Sequence, residues 1–233
     1  LLSLAKFVTT LGTAAREKTV MSNEDDYDDP EEGAPDEGAQ MEGAALQQLL
    51  AEIPALINLK RFAMVVDKVD WFSSIGENIT QDVRTLSRDY LDGLGFPDAD
   101  LAQITSFEEA ADAAETLDWD SAAWEIEEQL RAGLVVDALA LIDEEGLKVA
   151  LAHITSTTSD GLREAMDNLA AIWDVEDETL VTAATGAVVQ AVYNAALLLA
   201  AGGEEDHPFA LKYRLFELGR WPIGVHGRSF NLF

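Results

Sequence analysis

The chain contains no cysteine, which removes disulfides, thiolate zinc sites and Cys nucleophiles together. It also suits a reducing compartment, so a cytoplasmic protein is expected. Bases are scarce: fifteen Lys and Arg face forty-four Asp and Glu, a formal net charge of −29. A field of that sign repels phosphate backbones and anionic lipid, and it attracts cations and basic proteins. Nucleic acid is therefore excluded as the expected partner. No stretch reaches the ~18 apolar residues of a membrane span. The nearest, residues 183–201, is interrupted by Thr185, Gly186, Gln190, Tyr193 and Asn194 and reads as a buried helix. There is no Walker glycine loop, no G-x-G-x-x-G after a strand, no H-E-x-x-H and no G-x-S-x-G elbow. No catalytic set and no cofactor are expected on that basis.

What is present is a chain of 233 residues, 48% hydrophobic, long enough to bury a sizeable core. The charge is spread along it. Residues 22–43 hold ten acids and no base, so the other segments together still carry −19. The folded surface itself must then be acidic. Lys (six) is scarcer than Arg (nine). A lysine-poor acidic surface is also what adaptation to high salt produces, where self-repulsion is screened. Acidity unrelated to function is therefore one alternative.

Four segments follow from composition. Residues 1–20, ahead of Met21-Ser22, read as an upstream extension or a presequence. Residues 21–43, acidic with Pro30 and Pro35, cannot bury enough surface to offset ordering entropy and read as disordered. Residues 44–203 carry helical periodicity, and residues 204–233 form a distinct ending.

Within the third segment, Leu46, Leu49, Leu50, Ile53, Leu56 and Ile57 follow i, i+3, i+4 spacing, with Pro54 dividing the stretch. Phe62, Val65, Val66, Val69 and Phe72 repeat the pattern. Thr80 is placed to cap a helix with the stripe Val83, Leu86, Tyr90 and Leu91, closed by Gly93 and Gly95. Ser106 and Glu109 have capping-box spacing. Asp120 or Ser121 opens another helix, which Gly133 is expected to end before residues 134–142 resume. A short helix is expected over 146–154, then a loop over the Ser/Thr-rich residues 155–161. The alanines of 183–201 let backbones approach closely, which places that helix at the centre of a bundle. Strand-type alternation is essentially absent from this region.

The ending is basic and aromatic. From His207 onward, Lys212, Arg214, Arg220 and Arg228 face the single acid Glu217, and six of the chain's eighteen aromatics fall there. Phe209, Lys212, Tyr213 and Phe216 fit a helix stopped by Gly219. Residues 221–225 and 228–233 around His226-Gly227 suit two short strands. Such a segment either folds back, its rings filling a groove between helices and its bases pairing with body carboxylates, or serves as a recognition tail anchored by Arg220 and Trp221.

Asp118, Asp120, Glu125, Glu127 and Glu128 could supply hard oxygen ligands for Mg²⁺ or Ca²⁺, and all but Glu127 are also candidate partner contacts. Glu125 and Glu128 share a helical face, and Glu127 points about 100° away from its neighbours. Glu204 and His207 have the Glu-x-x-His spacing of di-iron bundles, but Gly202-Gly203 and Pro208 flank them, which favours a loop that caps the next helix. His153 follows Ala150, Leu151 and Ala152 and reads as a core-edge histidine. The expectation is an all-α single bundle of six to eight helices with an aromatic, basic ending. Its leading function is a non-enzymatic inhibitor- or immunity-type protein capturing a basic protein. The rival is a metal-dependent bundle enzyme using carboxylates with His153 or His207. The sequence sets no oligomeric state.

Overall fold

The computed structural model describes residues 54–116, 121–173 and 178–233, all within one unit spanning Leu49–Phe233. The described residues form seven helices and three short strands. In chain order these are α1 (Pro54–Val66), α2 (Gln81–Gly93), β1 (Asp100–Gln103), α3 (Phe107–Glu115), α4 (Ala122–Leu139), α5 (Glu144–Trp173), α6 (Glu178–Ala200), α7 (Pro208–Glu217), β2 (Pro222–His226) and β3 (Ser229–Leu232). The expected leader and acidic segment, residues 1–43, and the first apolar stripe up to Ile53 lie outside the described residues.

The alanine-rich α6 is the hub, packing against α1, α3, α4, α5 and α7. Ala184, Val188, Ala191, Val192, Ala195 and Ala196 are buried, and their small side chains permit five neighbours. α6 is the one described helix long and apolar enough to cross a membrane by length and composition. Here those apolar residues form the bundle core, as the polar interruptions in the sequence imply.

Local signals set the helix ends. Thr80 is extended and its Oγ1 accepts from the Val83 amide at 3.3 Å, while Ser121 caps α4 in the same way through Trp124. Ser106 accepts from the Glu109 amide, and the Glu109 carboxylate reaches back to the Ser106 backbone and to the amide and hydroxyl of Thr105. α2 and α7 close identically. Gly95 and Gly219 sit at positive φ, and the next amides, Phe96 and Arg220, return to the carbonyls of Leu91 and Leu215.

Three expectations are corrected. Gly133 does not end a helix: α4 runs through it, with open space where a side chain would be. Residues 155–161 are no loop but the middle of the thirty-residue α5. The hydroxyls of Thr155, Thr158 and Ser159 donate to carbonyls one turn back at 2.8–3.0 Å, which satisfies them without unwinding the helix. The Phe62-to-Phe72 stripe breaks at Val66. Val69 lies in irregular chain and Phe72 in a turn, where Phe72 adopts φ +60° with its ring buried against Phe216 and Trp221.

The strands form one sheet ordered β1-β3-β2, with β1 parallel and β2 antiparallel to β3. The β2–β3 hairpin matches the expected ending. β1 was not foreseen, because four residues offer too little alternation to register. A second apolar cluster lies beneath the sheet, where Val83, Tyr90, Leu91 and Leu94 meet Leu211, Leu215, Phe230 and Leu232. The six C-terminal aromatics are all buried. Trp221 and Phe233 exchange backbone hydrogen bonds at 2.7 and 3.0 Å, which folds the ending back onto the helices.

Candidate functional site

Polar side chains converge where α2, α4, α6 and α7 meet. Glu127 lies on the inward stripe of α4 with Ala123, Leu130 and Leu134, and is 4% exposed. Its Oε1 accepts from the Tyr90 hydroxyl of α2 at 2.5 Å and from Lys212 Nζ of α7 at 2.7 Å. The Lys212 ammonium also stands 5.9 Å from the centre of the Tyr90 ring. One turn along α4, Arg131 Nε donates to Asn194 Oδ1 of α6 at 2.9 Å. The Arg131 guanidinium also pairs with Glu128 and covers the Trp124 ring.

Electrostatics fix the charge states of this set. Burial pushes the Glu127 carboxyl up, but the Lys212 charge and hydrogen bond, the Tyr90 hydroxyl and the Arg131 charge outweigh it. The carboxyl is held below its ordinary value of 4.5. Burial, followed by the Glu127 charge and hydrogen bond, drives the Tyr90 phenol well above 10. The result is a carboxylate, an ammonium and a neutral phenol that address one another. Both donors share Oε1, and Glu127 Oε2 is buried without a hydrogen-bond partner among the described residues. What the arrangement does is clamp α2, α4 and α7, with Arg131–Asn194 adding α6.

The residues singled out from sequence fall elsewhere. Glu125 is exposed, Glu128 is half-buried against Arg131, and Asp118 and Asp120 lie outside the described residues. Arg220 and Trp221, each 3% exposed, are interior groups and not surface anchors. Arg220 donates to the carbonyls of Glu77 and Asn78 at 2.7 and 3.0 Å, bolting the ending to the loop before α2. Glu204 sits in an exposed loop. His207 caps α7, its Nδ1 accepting from the Phe209 amide at 3.1 Å. Burial lowers the His207 pKa more than the Asp206 charge raises it, which favours the neutral ring that this cap requires. His153 is exposed on α5 and is not at the core edge. Glu204, His207 and His153 form no ligand group. Among the described residues, no three His, Asp or Glu side chains converge as a metal site.

Sequence reasoning offered Glu127 as an oxygen ligand and expected C-terminal bases to meet body carboxylates, but it did not join Glu127 to Tyr90 and Lys212, nor Arg131 to Asn194. A signal existed for Glu127, which falls on the same helical stripe as Ala123, Leu130 and Leu134. Its partner Lys212 is 85 positions away, and no local pattern connects the two.

The outer face differs in kind. On α3, Glu108, Glu109, Asp112 and Glu115 are all exposed, and the helix carries no base. Asp82, Asp89 and Asp92 of α2, then Asp98 and Asp100, are exposed as well. No protein-family model, curated protein or solved structure matches the chain.

Proposed function

We propose that this chain is a non-enzymatic acidic binding protein, of inhibitor or accessory type, that captures a basic protein. The carrying observation is the excess of acids over bases. From Pro54 onward the sequence holds thirty-two acids and twelve bases. Three of those bases, Lys212, Arg131 and Arg220, are each matched by one acid, Glu127, Glu128 and Glu77. The exterior therefore keeps the acidic excess of the composition, with exposed carboxylates along α2 and α3. Exposed carboxylates steer cationic partners, raising association rates and making them salt-sensitive. The absence of cysteine supports a cytoplasmic setting.

Calorimetric titration with a synthetic octapeptide of alternating Lys and Thr, at about 50 mM salt, tests the reading. Saturable binding at one peptide per chain is expected. Heats that never saturate, or no heat, would contradict it, because a diffuse polyanion collects counter-ions without a defined stoichiometry. The second reading, salt adaptation, draws on the same dispersed carboxylates and on the scarcity of Lys; it predicts that outcome.

A further inference from the structure

We infer that the outer edge of β1 is the docking line of this basic partner, which adds an extended Lys- or Arg-bearing segment as a fourth strand beside β1. The inference rests on the proposed function and specifies its surface. β1 occupies one end of the strand order β1-β3-β2. The amides of Asp100 and Ile104 donate to Arg228 and Leu232 across the parallel ladder at 2.7 and 2.9 Å. Alternate residues of a strand address opposite sides, so the N–H and C=O of Leu101 and Gln103 face away from β3. No described residue hydrogen-bonds those four groups.

The two ends of the sheet are treated differently. Soluble proteins protect edges with proline, bulges, charge or a covering element. β2 has three such devices: it begins at Pro222, carries an irregularity between Pro222 and Gly224, and lies against α3 and α7. β1 has no bulge, no proline and no base within it; its only protections are its four-residue length and the charge of Asp100 at its start, which itself attracts a cationic strand. Gln103 tethers it to the preceding loop through Ile79 and the Glu77 carbonyl, which fixes the strand while using only side-chain atoms.

The charge around this edge selects the occupant. Asp98 and Asp100 stand at its start, and Glu77, Glu108 and Glu109 at its end, all exposed. Three bases are nearby: Arg88 donates to the Ala99 carbonyl, Arg228 sits at the start of β3, and Arg220 pairs with Glu77 at 3.9 Å. Five carboxylates against three guanidiniums leave a net negative edge that favours a cationic strand, and added main-chain bonds are how β-augmentation gains affinity.

The test uses the full chain, the alternating Lys-Thr octapeptide and two N-methylated versions of it. One version is methylated at the Lys amides and the other at the Thr amides, with charge unchanged. An added strand donates to β1 from alternate residues only, so one methylated peptide should lose at least tenfold in affinity while the other binds nearly as well as the parent. The variant Leu101→Pro, which removes one outward N–H, should weaken the parent peptide, with the melting temperature measured to verify folding. Equal affinity for all three peptides would overturn the edge as docking line and leave acidic capture standing. Equal losses with both methylated peptides would also overturn it, since no strand parity is then read. Failure of the parent to bind would overturn both.

Discussion

Replacing Lys212 with Met keeps the length of the side chain and removes its charge from beside a buried carboxylate. Glu127 and Lys212 side chains are 6% and 14% exposed, and they meet at 2.7 Å. Deleting one partner leaves the other charge buried with too little compensation, which costs about 3–5 kcal/mol. Tyr90 still donates to Glu127, so the lower end, about 3 kcal/mol, is expected. For a chain of this size that lowers the melting temperature by roughly 6–12 °C. The loss should also depend on pH in a definite direction. In the parent, the carboxyl pKa is held below 4.5, so the stability it contributes is present above that value and is lost as pH falls through the folded pKa. In Lys212→Met, burial dominates and the folded pKa rises, so the folded state binds a proton more readily than the unfolded one. The penalty is then largest near neutral pH and shrinks on acidification. Denaturant unfolding of both proteins at neutral and mildly acidic pH measures this, and the other carboxylates cancel in the difference. A cost under about 1 kcal/mol, typical of an exposed pair, or a penalty that grows on acidification, would refute the clamp. The double variant Lys212→Met with Glu127→Leu should recover much of the loss.

Other outcomes follow from the helix assignments and caps. Gly133→Ala and Gly161→Ala fall inside α4 and α5, where an added Cβ meets open space or an ordinary contact. Each should stabilise by about 0.5–1 kcal/mol, and a loss at either in chemical denaturation would contradict continuous helices. Gly219→Ala forces positive φ on a residue whose Cβ would lie 2.7 Å from the Ser74 amide nitrogen. It should cost at least about 2 kcal/mol, and a neutral effect would refute the close approach between α7 and the turn before α2. His207 has a folded pKa below its ordinary 6.5, so its capping contribution is present above that value and fades as pH falls through the folded pKa. In His207→Asn the cap persists and that portion of the acid sensitivity should vanish from thermal melts.

The helical class, the hub position of residues 183–201 and the C-terminal hairpin were legible because each is local. Small side chains in a long apolar run, a Ser or Thr ahead of a periodic stripe, and Gly after its last residue act within a few positions. The errors arose where local rules compete. Thr155, Thr158 and Ser159 favour turns on their own, yet in α5 their hydroxyls bond back along the helix while packing covers one side. Gly133 lacks the positive φ that ends a helix at Gly95 or Gly219. Acid and base roles were the least legible. That C-terminal bases meet body carboxylates was legible, but which ones was not: Lys212 finds Glu127, and Arg220 finds the Glu77 and Asn78 carbonyls, only through long-range packing. These distant pairings are invisible to any window of sequence, whereas the excess of acids over bases is read directly from composition.

That exterior is best tested through the ionic-strength dependence of octapeptide affinity, measured by calorimetry from about 50 to about 500 mM KCl. Binding driven by the exposed carboxylates should weaken by at least about tenfold over that range while stoichiometry stays at one peptide per chain. An affinity that holds constant with salt would contradict the proposal that the anionic surface captures a basic protein.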